Sequence, residues 1–127
     1  MQLLLDTHTF LWFIGGNSEL SKKSRMVIEN PLYEKYISIA SFWEIAIKHS
    51  LGKLTLEVPF SELKSEVIKN NFQLLSITFE DTLQLCELPF YHRDPFDRVI
   101  ISQAMRNNLT LVSQDKNFKL YNVNLLW

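Results

Sequence analysis

The chain has 127 residues, 46% hydrophobic and 21% charged, with three Gly and four Pro, which gives material for one domain with its own core and excludes both a two-domain protein and a disordered chain. A formal net charge of −1 argues against coating nucleic acid through bulk electrostatics, whose affinity scales with the phosphates neutralised, but leaves local contacts open. No apolar run approaches the roughly 18 residues that span a bilayer, the opening MQLLLDTHTF meets an acid at Asp6 where a secretory leader needs a basic start, and the lone Cys86 fits a reducing, cytoplasmic setting.

In chain order, Gln2 to Leu5 is a short apolar run suited to a buried parallel strand. Thr7 is placed to cap a helix carrying Phe10, Leu11, Phe13 and Ile14, which Gly15-Gly16 stops. A second helix starts at Ser21 and ends at Asn30-Pro31, because the residue before proline disfavours helical geometry. Tyr36 to Ile39 reads as the second strand, and Ser41 opens a helix through at least Ile47. Leu51 to Pro59 is a loop or ribbon, followed by a helix with Phe60, Leu63 and Val67 on one face. Phe72 to Ile77 is a short strand, and Thr78-Phe-Glu-Asp81 resembles a capping box. Its helix brings Phe79, Leu83 and Cys86 together, which predicts Cys86 as a small core residue. Another helix starts at Asp94-Pro95 and runs to about Met105; Thr110 to Ser113 and the stretch around Val123 and Leu125 complete the strands. Strands alternating with helices predict one α/β domain over residues 1–127, three-layered α/β/α with a central, mainly parallel sheet.

In such sheets the working residues lie at the carboxyl ends of the strands. Four acids fall there: Asp6 after the first strand, Glu44 in the helix after the second, Asp97 in the first turn of the helix opened by Asp94-Pro95, and Asp115 two residues past Ser113. Each has an ordinary structural explanation. Asp6 could cap the first helix, Ser41-x-x-Glu44 fits a capping box, Asp94 before Pro95 is an N-cap that puts Asp97 at the third helical position, and Asp115 suits a turn. Together these explanations weaken, because carboxylates gathered on one rim repel one another by about 1 kcal/mol per pair even in water-like surroundings. A hard divalent cation such as Mg²⁺ or Mn²⁺ removes that repulsion and is the usual companion of phosphate substrates.

Four segments in order, LLLDTH, SFWEIAIK, HRDPFDRVIISQA and LVSQDKNF, resemble those of PIN-domain ribonucleases, and most closely the VapC-type toxins of bacterial toxin–antitoxin pairs. The resemblance runs from Gln2 to Leu126 and includes SLGKLTLE in the middle. It implies a PIN-like fold and a metal-dependent endoribonuclease acting as the toxin of such a pair. Asp6, Glu44, Asp97 and Asp115 would be both catalytic and metal-holding, binding one or two Mg²⁺ or Mn²⁺ ions. Hydrolysis would use metal-activated water and leave a 5′-phosphate. Asp94 and Ser113 would stand behind them, Asp94 as a cap or supporting acid and Ser113 holding a carboxylate or a water. The implied partners are RNA, a cognate antitoxin protein and a second copy of the chain, with no membrane.

His8, His49 and His92 lack metal-ligand spacing, so a zinc site is not expected. Gly15, Gly16 and Gly52 cannot form a phosphate-binding loop, and no Ser or Cys sits in a nucleophile motif. Lys22, Lys23, Arg25, Arg93 and Arg98 read as solvated surface. Trp12, Phe42 and Trp43 suit core or interface better than base stacking. Nine Phe, four Tyr and three Trp exceed what so small a domain hides easily, which predicts a homodimer. Two rival classes are an RNA-binding module on the same fold without turnover, and an aspartate-based phosphotransfer domain. An aspartyl phosphatase would want an acid where His8 stands, and the complete acid set speaks against the inert module.

Overall fold

Strand β1 (Gln2–Leu5) runs through the centre of the molecule, with Leu3, Leu4 and Leu5 all sealed from solvent. A strand buried on both faces has no polar side, which is why this run does not alternate. The computed structural model describes all residues, Met1–Trp127. The sheet has five strands in the order β3-β2-β1-β4-β5, and every neighbouring pair is parallel. The other strands are β2 (Glu34–Ser38), β3 (Phe72–Leu75), β4 (Thr110–Val112) and β5 (Asn124–Leu126). Leu5 pairs with Ile37 of β2 on one side and Val112 of β4 on the other, so the carboxyl ends of the three central strands are level.

Six α-helices cover the sheet: α1 (Thr7–Gly15), α2 (Lys22–Glu29), α3 (Ile39–Ser50), α4 (Leu63–Lys69), α5 (Phe79–Glu87) and α6 (Pro95–Asn107). The side-chain alternation of β1 divides the core in two. Leu3 and Leu5 join Phe10 of α1, Ile28 of α2, Ile45 of α3 and Val67 of α4. Leu4 faces the other way, onto Ala40, Leu88, Ile100, Ile101 and Ala104, with α6 as the main covering helix. The architecture is three-layered α/β/α, as the sequence predicts, and the sheet is wholly rather than mainly parallel.

Local readings differ from the structure at several points, among them the second strand, which spans Glu34–Ser38 rather than Tyr36 to Ile39. The helix after β2 begins at Ile39, because Ser38 rather than Ser41 is its N-cap, accepting from the Ala40 N–H at 3.1 Å. Serines three residues apart offer the same capping chemistry, and the strand length decides between them. The third strand stops at Leu75 instead of Ile77. Cys86 is exposed, as are Phe79 and Leu83 beside it. Helix α5 is anchored by a polar side instead: Asp81 forms the capping box with Thr78 and takes the Arg106 Nε–H of α6 at 2.8 Å. Finally, Arg98 is buried, not solvated.

Candidate active site

The chain runs outward from β1 to β2 and β3, then returns to the other side of β1 as β4 and β5. The carboxyl ends of β1 and β4 are therefore the point where the winding reverses, and parallel sheets open a crevice there. Asp6 leaves β1 at this point, its backbone N–H still donating to the Val112 carbonyl at 3.3 Å. It, not Thr7, is the N-cap of α1: Oδ1 accepts from the Thr9 N–H at 2.8 Å. Its other oxygen, Oδ2, accepts from the Ser113 hydroxyl just past β4 at 2.5 Å. The carboxyl group is buried, and that burial pushes its pKa up against the lowering effect of these hydrogen bonds. Released from capping, Thr7 donates instead to Glu44 Oε1 at 2.6 Å and lies 3.0 Å from the Ser41 hydroxyl.

Starting α3 at Ile39 removes the ordinary explanation of Glu44. It stands in the second turn, beyond reach of a cap, on the inward face and only 3% exposed. A glutamate there has to be paired, since an unpaired buried charge is costly. Its second oxygen takes the Lys48 ammonium, one turn on, at 2.5 Å. That lysine's pKa is raised: desolvation works against the charged form, but the Glu44 bond and the charges of Asp94 and Asp97 outweigh it.

Helix α6 delivers Asp97. Asp94 caps it, accepting from the Phe96 and Asp97 N–H groups at 2.9 and 3.0 Å, with Pro95 at the first helical position. This is the arrangement the sequence predicts for Asp94. Asp97 is thereby fixed at the third position, facing the rim, and its pKa is pushed up to about 8. Burial is the largest cause, followed by the charges of Asp94, Asp115, Glu44 and Asp6, so all the predicted acids act on one carboxyl group. Its Oδ2 lies 3.1 Å from His92 Nε2. Asp115, past β4, caps a 3-10 turn at Lys116–Leu120 by accepting from the Asn117 N–H, and its own N–H donates to Ser113 Oγ at 3.0 Å. Ser113 thus bridges Asp6 and Asp115. Beside these two acids opens a cavity of about 320 Å³, lined also by His8, Trp12 and Gln114.

All six predicted residues lie on this rim, with Asp94 and Ser113 behind the other acids. No three His, Cys, Asp or Glu side chains stand close enough to hold an ion as they are. Each carboxylate rests on a local donor instead: Asp6 on Ser113, Glu44 on Lys48 and Asp97 on His92. The donor set nonetheless fits a hard divalent cation. It is all carboxylate oxygen, and burial, followed by repulsion from Asp94, Asp115, Glu44 and Asp6 that a cation would relieve, raises the Asp97 pKa to about 8. Sequence reasoning missed His92, Tyr121 and Lys48. Lys48 was detectable from its spacing of four after Glu44; the contact of Tyr121 with His92, across 29 residues, had no sequence signal.

With the geometry in place, comparison with known proteins defines the class. A profile of the PIN domain matches residues 3–124, and the chain belongs to the PIN domain family, a family of nucleases, which supports a hydrolase acting on nucleic acid. Solved structures share its fold from end to end. VapBC2 from Rickettsia felis, crystallised bound to a DNA fragment from its promoter, is 19% identical with a TM-score of 0.73, and the alignment covers 100% of this chain and 99% of that one. FitAcB from Neisseria gonorrhoeae is 16% identical at a TM-score of 0.69, covering 98% and 96%. VapBC-1 from nontypeable Haemophilus influenzae is 16% identical at 0.68, covering 99% and 97%. No curated protein matches the chain in sequence.

Proposed function

We propose that this PIN domain is the toxin of a toxin–antitoxin pair, a metal-dependent endoribonuclease whose Asp6, Glu44, Asp97 and Asp115 hold Mg²⁺ or Mn²⁺. The observation that carries the reading is the convergence of acids from four separate segments on Asp97, which the fold tolerates only at an electrostatic cost. A cation bound there supplies Lewis acidity, screening the phosphodiester charge and lowering the pKa of water for hydrolysis. The chain's own groups do the rest. Ser113 fixes one Asp6 oxygen, the α6 N-cap fixes where Asp97 stands, and Lys48 supplies a countercharge to Glu44 in the interior. The cavity beside Asp6 and Asp115, with His8, Trp12 and Gln114, has room for a nucleotide next to the scissile phosphate. The rim has no serine or cysteine nucleophile and needs none.

Two of the solved structures above are VapBC complexes and a further one, 15% identical at a TM-score of 0.66, is a toxin–antitoxin complex from Klebsiella pneumoniae, and this favours a protein antitoxin as partner. Such an inhibitor would act most simply by laying a basic side chain over the acidic rim. Exposed Phe79, Leu83, Phe90 and Tyr91 favour a homodimer. No helix is long and apolar enough to cross a membrane, and with the single free thiol this favours the cytoplasm as the place of action. Incubating the purified protein with total cellular RNA, with and without Mg²⁺ or Mn²⁺, and mapping the cut ends tests the reading. Metal-dependent internal cuts are expected. RNA left intact in both ions at high enzyme concentration would refute it.

A further inference from the structure

The loop before α6 carries a network in which every hydrogen-bond direction can be assigned. Tyr121 Oη has three nitrogen neighbours: Arg98 Nη1 at 3.2 Å, the His92 backbone N at 3.2 Å and His92 Nδ1 at 2.8 Å. A guanidinium and a backbone N–H can only donate. They occupy the two lone pairs of the phenol, which leaves its own O–H for the shortest contact. Tyr121 therefore donates to Nδ1, and Nδ1 must be the unprotonated ring nitrogen. The ring proton lies on Nε2, which faces Asp97 Oδ2 at 3.1 Å.

The scaffold behind this network is held by further hydrogen bonds. Arg98, one residue after Asp97, gives its remaining hydrogen bonds to the Pro89 and Leu88 carbonyls at 2.8 and 3.2 Å and stacks 3.8 Å from the Phe90 ring centroid. A buried guanidinium bonded only to uncharged oxygens costs free energy, and here it pins the loop that presents His92 to the helix that presents Asp97. The Tyr121 and His92 rings pack edge to face, with centroids 5.4 Å apart.

From this geometry we infer that His92 is a positioning residue: an imidazole, locked by Tyr121 with its ring proton on Nε2, that holds one oxygen of Asp97 and leaves the other free to ligate. Held this way it orients the Asp97 carboxyl group through a hydrogen bond, whereas a lysine or arginine there would also cancel the charge that a cation needs. Oriented carboxylates of this kind commonly gain 10–100-fold in metal affinity from the group behind them. The inference rests on Asp97 being a ligand, as proposed above, but the hydrogen-bond assignment stands on the apo protein alone.

The test has two arms. In metal-free protein carrying ¹⁵N-labelled histidine, long-range ¹H–¹⁵N correlations at pH 8 are expected to show His92 as a single Nε2–H tautomer, and Tyr121→Phe, which keeps the ring and removes only the O–H, to convert it to a mixture. A wild-type ring in the Nδ1–H form, or one averaging between tautomers, overturns the inference. In the second arm, Mn²⁺ affinity is measured for His92→Leu, His92→Gln, Tyr121→Phe and Asp97→Asn. His92→Leu is expected to lose tenfold or more, and His92→Gln, whose amide N–H stands near the position of Nε2, to recover most of it. Wild-type affinity in His92→Leu and Tyr121→Phe beside a defective Asp97→Asn overturns the positioning role alone. Wild-type affinity in Asp97→Asn overturns the ligand reading itself, and the role given to His92 with it.

Discussion

Replacing Asp97 by Asn is expected to stabilise the metal-free protein while abolishing cleavage. Asparagine keeps the shape and an oxygen that can accept from His92 Nε2–H, and it removes only the charge. In the folded protein the Asp97 carboxyl is pushed from its ordinary 3.8 to about 8, first by burial and then by Asp94, Asp115, Glu44 and Asp6. A raised acid favours folding fully below its unfolded value, and that contribution is lost as pH rises through the folded value. Each pH unit in that window costs about 1.4 kcal/mol, so at pH 7 the upper limit is about 4 kcal/mol. That limit assumes that nothing around Asp97 relaxes, and the lost acid at the helix start costs about 0.3–1 kcal/mol in the opposite direction. A net gain of about 1–2 kcal/mol, or roughly 3–8 °C in Tm, is therefore expected at pH 8 in EDTA. The gain should shrink as pH falls through 4 and vanish below about pH 3, where wild-type Asp97 is protonated in both states. Thermal melts of both proteins across that pH range decide the matter. A variant that melts below wild type at pH 8 would show Asp97 to be a structural partner of His92, and the repulsion argument would be wrong.

Glu44→Gln separates ligand from structural glutamate: Mn²⁺ affinity and RNA cleavage should fall together by tenfold or more, and equal activity across a Mn²⁺ titration rules out ligation. Asp81→Asn should cost about 1–3 kcal/mol at pH 7, because Arg106 and the Thr78 N–H lose a charged acceptor. Opposed by desolvation, those bonds still hold the Asp81 pKa below its ordinary value, so the difference should vanish as pH falls through that lowered value, which urea melts from pH 7 to 3 would register. Phe10→Ala should cost about 3–5 kcal/mol, since Phe10 is sealed from solvent between the rings of Phe42 and Phe72; a loss under 1 kcal/mol in urea would mean that this half of the core is loosely packed. Light scattering should give twice the chain mass of 15.0 kDa, and a monomer at tens of micromolar would refute the homodimer.

Local chemistry written in adjacent residues was legible without the fold. Asp94-Pro95 announced the start of α6 and put Asp97 at its third position, and Thr78 with Asp81 announced α5. Those signals act over three or four residues, so the sequence contains both partners. The apolar run Gln2–Leu5 likewise implied a strand covered on both faces, and with it the parallel sheet and the rim where Asp6, Glu44, Asp97 and Asp115 had to be sought. Tertiary structure decided what depends on partners distant in sequence. Either Ser38 or Ser41 could cap α3, and the register of β2 against β1 chose Ser38, which moved Glu44 from a cap to an inward-facing acid. Asp6 could cap or ligate; Ser113, 107 residues away, holds its second oxygen beside that cap. Arg98 looked like a surface charge until the loop at Leu88 and Pro89 closed over it. His92 carried no signal of its own, because its role is set by one hydrogen bond to Tyr121 and another to Asp97, and only the closed fold brings those three side chains together.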